Sequence, residues 1–137
     1  MTRLTFTRRE TFSAAHRLWQ PELSEGENRA LYGKCANIHG HNYVLEVTIA
    51  GSVQQTSGMV VDLRKLKEII RSEIIEKVDH KYLNEEVEIL RGVNPTTENL
   101  AQRFWTVLAP HFPEGALYSV RLYETEKNCV EIRGEER

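Results

Sequence analysis

Hydrophobic positions alternate with period two in several stretches of the chain, and with period 3.6 in two others. Leu4, Phe6, Phe12, Ala14 and His16 share one parity, so residues 4 to 18 read as a long strand whose apolar face is interrupted by Arg8 and Glu10, through a bulge or an extension beyond the sheet. A second strand is expected from about Ile38 to Ala50, with Tyr43, Leu45, Val47 and Ile49 facing the core. Between them, "WQPELSEGENRALYG" is polar and broken by Pro21 and Gly26, with room for one helical turn near Asn28 to Leu31. Asp62 can cap a helix in which Leu63, Leu66, Ile69 or Ile70, Ile74 and Val78 form the buried stripe. It ends at Asp79-His80, and a polar connector follows. Pro95, Thr96, Thr97 and Glu98 start a second long helix, with Leu100, Phe104, Val107, Leu108 and His111 inward. Strands at Leu117 to Glu124 and Val130 to Arg133 complete an α+β domain: a four-stranded antiparallel sheet with two helices between strands 2 and 3. Open edges of such a sheet invite pairing between subunits, or closure into an oligomeric β-barrel.

Composition changes this picture little. The 137 residues suit one domain spanning 1–137, and 40% hydrophobic with 28% charged residues disfavours disorder. A formal net charge of −2 gives no basic footprint, so no nucleic-acid or membrane partner is expected. The amino terminus has no signal-peptide core, and a cytoplasmic location is expected. Cys35 and Cys129 then read as free thiols, Cys35 as a reactive one beside histidines and Cys129 as a small residue of the last strand.

The candidate chemistry centres on "KCANIHGHNY". In a strand His39 and His41 project to the same side, and His16 lies on the core face of the first strand. Three neutral imidazoles would give Zn2+ three ligands with a fourth position open, as in catalytic sites; Cys35 as a fourth ligand would make the ion structural. Asp79 and His80 offer a carboxylate and an imidazole, or simply a histidine that complements a helix dipole. Glu124 ends the inward row of Val120 and Leu122, so its carboxylate needs a donor, which a ligand with adjacent N–H groups would supply, unless the strand end turns it to solvent.

In their order along the chain, "FSAAHRL", "LYGKC", "HGHNY", "GMVVDL", "DHKYLN", "NPTTEN" and "LYET" resemble the 6-pyruvoyl- and 6-carboxy-tetrahydropterin synthase family over nearly the whole length. The resemblance implies the tunnelling fold, in which trimers close a β-barrel and stack into a hexamer with active sites at subunit interfaces. It implies zinc on His16, His39 and His41, and 7,8-dihydroneopterin triphosphate as substrate. Cys35 is then the proton-abstracting residue, assisted by Asp79 and His80, and Glu124 anchors the pterin ring. Thr96 and Thr97 join it as substrate contacts, and Arg17 is a phosphate contact. In the pyruvoyl branch five residues usually separate the cysteine from the first histidine of His-Gly-His, and in the carboxy branch, which feeds queuosine and other deazapurines, three. Here Ala36, Asn37 and Ile38 intervene, so the expected product is 6-carboxy-5,6,7,8-tetrahydropterin with acetaldehyde and triphosphate released. Against this, "LYGKC", "GHNY" and "LYET" look more like the pyruvoyl branch, whose product, 6-pyruvoyl-tetrahydropterin, is the alternative. An aldolase-like activity and a non-catalytic pterin-binding module fit less well with Cys35, the three histidines and Glu124 all present.

Overall fold

The computed structural model describes residues 2–134. β1 (Leu4–His16) and β2 (His39–Gly51) pair antiparallel along their full length, from Leu4 opposite Gly51 to His16 opposite His39. β1 therefore has no bulge. Arg8 and Glu10 are accommodated on its helix-facing side because Glu10 accepts hydrogen bonds from Arg8 and from Arg71 of the long helix. At this end of the strand an ionic cluster replaces the apolar row.

The connection after β1 is more ordered than its polarity suggested. α1 (Glu25–Tyr32) is a full helix, started by a capping box in which the Ser24 hydroxyl accepts from the Glu27 N–H and the Glu27 carboxylate accepts from the Ser24 N–H. Fully buried Asn28 ties it back through bonds with Gln20, Leu23 and Ser24. α2 (Leu63–Ile70), capped by Asp62, passes through a π turn (Arg71–Ile75) into α3 (Glu76–Val78) as one continuous rod. α4 (Thr97–Leu108) follows.

The sheet has five strands, not four, and is mixed, not wholly antiparallel. After α3 the backbone reverses at His80, whose φ of 61° lies in the left-handed region. This drops β3 (Lys81–Tyr82) parallel onto the edge of β1 beside Ala14 and Ala15. The two-residue strand carries no periodicity, so no sequence pattern marked it. With β4 (Leu117–Thr125) and β5 (Asn128–Arg133), the order is β3-β1-β2-β4-β5, and the sheet of one chain is open at both edges. α2, α3 and α4 cover one face, where Leu66, Ile70, Ile74, Val78, Leu100 and Phe104 pack against Phe12, Tyr43, Leu45, Val120 and Leu122. His111 departs from the expected stripe: it is exposed in a 3-10 turn after α4, 3.7 Å from Glu73. No helix among the described residues is long and apolar enough to cross a membrane.

Candidate metal and substrate centre

Strand pairing assembles the site. Antiparallel register sets His16 at the end of β1 directly opposite His39, and Ala14 opposite His41, so three imidazoles meet on the helix-covered face. Their ring centroids lie 4.6 to 5.1 Å apart, and one ligand nitrogen from each falls within 4.8 Å of the others. Gly40 permits the close pairing, since a Cβ there would stand 3.3 Å from the Ala14 carbonyl oxygen. Beneath the rings Phe12 stacks on Tyr43 at 4.7 Å, an aromatic floor that keeps the histidines from sinking into the core.

Hydrogen bonds orient the rings. His16 Nδ1 donates to the Pro95 carbonyl at 2.8 Å, and His39 Nδ1 to the Asn37 carbonyl at 2.7 Å, which fixes the tautomers and turns each Nε2 toward the cluster. The Nε2 atoms of His16 and His41 are buried with no hydrogen-bond partner. Such atoms are costly to leave unpaired, and a divalent cation would satisfy them. Burial lowers the pKa of His16 and of His41, favouring the neutral form that a metal requires. The donor set therefore fits zinc: three imidazoles, with a further position open. Cys35 is not part of the cluster, so the all-protein four-ligand alternative has no support among the described residues.

Glu124 faces inward as its strand parity indicated. Its Oε2 accepts from the Thr97 hydroxyl at 2.6 Å, and its Oε1 lies 3.5 Å from His41 Nε2 without forming a hydrogen bond. A cavity of about 530 Å3 opens here between the start of β2 and the end of β4, lined by His41, Asn42, Tyr123 and Glu124. The two threonines before α4 divide their roles. Thr97 is buried against Glu124, whereas Thr96 caps the helix by accepting from the Asn99 N–H. Thr96, expected among the substrate contacts, serves here as the helix cap.

Cys35 sits exposed in a 3-10 turn (Gly33–Ala36) that is fastened to the residues just after His16. The Leu18 N–H donates to the Cys35 carbonyl and Arg17 Nε to the Ala36 carbonyl, both at 2.8 Å. The Arg17 guanidinium lies 3.7 Å over the Trp19 ring, and the Asn84 side chain grips the Arg17 backbone through both its N–H and its C=O. Arg17, expected as a phosphate contact, also acts through its Nε and backbone as a clamp between the metal-ligand strand and the thiol turn. Asp79 and His80 lie elsewhere, at the open edge of β1. Asp79 accepts from the Ser13 N–H and pairs with His80 Nδ1 at 3.0 Å. The Ser13 N–H is the main cause that holds the Asp79 carboxyl below its ordinary pKa. His80 lines a cleft that reaches His41 and Asn42, and Cys35 lines neither this cleft nor the one beside Glu124.

Sequence reasoning placed His16, His39, His41 and Glu124 on inward faces but missed the carbonyls of Pro95 and Asn37 and the clamp of Trp19 and Asn84. Backbone acceptors leave no residue signature. "HRLW", placing an arginine two residues before a tryptophan, was the one available hint of the stack.

Comparison with known proteins agrees with this geometry. Residues 5–135 match the family model described as 6-pyruvoyl tetrahydropterin synthase. The chain belongs to the 6-pyruvoyl tetrahydropterin synthase family. It is 49% identical over 129 residues to the 6-pyruvoyl tetrahydrobiopterin synthase of Dictyostelium discoideum, covering 94% of this chain and 95% of that protein. A solved structure of Caenorhabditis elegans 6-pyruvoyl tetrahydropterin synthase superposes with a TM-score of 0.90 at 41% identity, over 98% of both chains. A putative 6-carboxy-5,6,7,8-tetrahydropterin synthase from Archaeoglobus fulgidus is 41% identical over only 100 residues, covering 73% of this chain and 79% of that protein. Among these family members the pyruvoyl-type similarity is the more extensive.

Proposed function

We propose that the chain is a zinc-dependent lyase that converts 7,8-dihydroneopterin triphosphate into 6-pyruvoyl-tetrahydropterin, releasing triphosphate and keeping the side-chain carbons. The observation that carries this reading is the meeting of three imidazoles, two with unpartnered buried Nε2 atoms, beside the inward carboxylate of Glu124. The cavity beside His41 and Glu124 would take the pterin, with its hydroxylated side chain directed toward the imidazoles. Glu124 accepts from the N–H edge of the ring, and the Thr97 hydroxyl holds that carboxylate in place. His16, His39 and His41 would hold the zinc ion, which when bound polarises the substrate's side-chain oxygens and acidifies the adjacent C–H bonds. Cys35, as thiolate, takes and returns the proton that moves between side chain and ring. The Asp79-His80 pair assists the thiol from the face of a neighbouring copy, because its own contacts run to the edge of β1 and not to Cys35 of the same chain. The active form is accordingly a homo-oligomer, taken as a hexamer of two stacked trimers.

Pyruvoyl chemistry replaces the carboxy product expected from the Cys35-to-His39 spacing, because near-full-length similarity to pyruvoyl-type synthases outweighs one local feature. The carboxy reading remains the second one, on the specific observation that only Ala36, Asn37 and Ile38 separate the thiol from His39. Incubation of the purified zinc-loaded protein with 7,8-dihydroneopterin triphosphate, followed by mass analysis, separates the two. A pterin that retains a three-carbon side chain is expected; acetaldehyde with a carboxylated pterin would select the second reading.

A further inference from the structure

Three segments that carry or support the candidate groups meet beyond the end of β1, and the hydrogen bonds between them close a triangle. The first is His16 to Trp19, the second is the thiol turn with Tyr32 just before it, and the third is Asn94-Pro95, ahead of α4. The first and second are joined by the Leu18 N–H and Arg17 Nε, which donate to the Cys35 and Ala36 carbonyls. The first and third are joined twice: His16 Nδ1 donates to the Pro95 carbonyl, and the Trp19 N–H donates to Asn94 Oδ1 at 3.2 Å. The remaining side, among the described residues, is one bond of 2.9 Å from Asn94 Nδ2 to the Tyr32 hydroxyl. Asn94 is itself fastened to the start of α4, because its carbonyl accepts from the Asn99 side chain at 2.9 Å and from the Thr96 N–H at 2.8 Å.

The amide of Asn94 has only one orientation that satisfies both neighbours. A backbone N–H can only donate, so Oδ1 faces Trp19 and the amide nitrogen is left to face Tyr32. Tyr32 is the last residue of α1, and Gly33 after it, with φ of 58° and open space around its Cα, gives the chain a pivot just before Cys35. Arg29 also spans the turn, reaching the Asn37 side chain at 2.7 Å, but that exposed bond closes the turn on itself and does not reach the Pro95 segment. Resting on the roles proposed above for His16 and Cys35, we propose that Asn94 is a positioning residue for the reaction: its two-sided amide sets where the Cys35 thiol stands relative to the His16 imidazole. Without the third side of the triangle the turn keeps its bonds to residues 17 and 18 and gains rotation about them. A proton-transferring group is sensitive to such a displacement, since about 1 Å costs up to about 10²-fold in rate.

The full chain tests this by position as well as by rate. With Cys129→Ser removing the other thiol, Cys35 takes a 13C-methylthio label, and cobalt(II) in place of zinc gives the label a paramagnetic shift that depends on its distance and direction from the ion. Asn94→Leu, which removes both side-chain bonds at similar size, should displace or broaden that signal, and Tyr32→Phe should displace it less. Asn94→Asp should return it toward the parent position, because a carboxylate accepts from both the Trp19 N–H and the Tyr32 hydroxyl. In unlabelled zinc-loaded protein, kcat should fall by up to about 10²-fold in Asn94→Leu and by roughly 2- to 10-fold in Tyr32→Phe, the scale of one neutral hydrogen bond. KM and zinc content should hold in both. An unmoved label in Asn94→Leu, a loss confined to KM, or a loss of zinc with turnover per bound zinc unchanged would each overturn the proposal. A displaced label in a protein that does not consume 7,8-dihydroneopterin triphosphate would uphold the placement of the thiol by Asn94 and overturn the proposed function alone.

Discussion

The two halves of the site are built to different standards of completeness. At the histidine end, the β1–β2 register and the Phe12–Tyr43 floor set the position of all three rings within one chain, and the Pro95 and Asn37 carbonyls fix the tautomers of His16 and His39. At the proton-handling end, Cys35 is exposed on a tethered turn, and the Asp79-His80 pair sits on an open strand edge with no contact to that thiol among the described residues. The donor set for a metal is therefore complete within one chain, whereas the groups proposed to handle the proton are not brought together in it.

The sharpest way to break the comparison is to remove a member of the completed half. His16→Ala should abolish turnover and zinc uptake together, with a loss of metal affinity exceeding the roughly 10- to 100-fold typical of an outer-shell partner; metal analysis after dialysis checks it. Cys35→Ala should instead leave zinc content unchanged while turnover falls by roughly 10²- to 10⁴-fold, the scale of one general acid–base group. Unchanged turnover would remove the thiol from the reaction. Arg17→Gln probes the clamp that joins the halves. Zinc content should hold, and kcat should fall by up to about 10²-fold, as for a reacting group displaced by about 1 Å. A loss confined to KM would return Arg17 to the role of a phosphate contact.

The smallest effect belongs to Asp79. Its folded pKa is depressed below 3.8, chiefly by the Ser13 N–H, so the stability it contributes is present above that value and lost as pH falls through the folded pKa. Asp79→Asn should flatten the acid limb of the thermal stability profile below about pH 4. The side chain is more than a third exposed and screened by solvent, so the midpoint near neutrality should move little.

Legibility from sequence followed the same division. Period-two parity located His16, His39, His41 and Glu124 on inward faces, because strand geometry acts at every residue. It could not reveal β3, two residues long and held by the edge of β1, nor the π turn at Arg71–Ile75, which preserves the apolar stripe of a helix. α1 was legible in principle, since Ser24 and Glu27 spell a capping box, but the polar composition around Gly26 obscured it. The Cys35-to-His39 spacing carried too much weight. The thiol turn is positioned by bonds from Arg17 and Leu18 on the other strand, so the length of its link to His39 is only one of its constraints.

X-ray absorption at the zinc edge of the metal-loaded, substrate-free protein tests the central claim most directly. The expected first shell holds nitrogen and oxygen scatterers alone, three of them imidazole, and is unchanged in Cys35→Ala. A sulfur scatterer at about 2.3 Å that disappears in that variant would make the thiol a ligand, and would contradict the account.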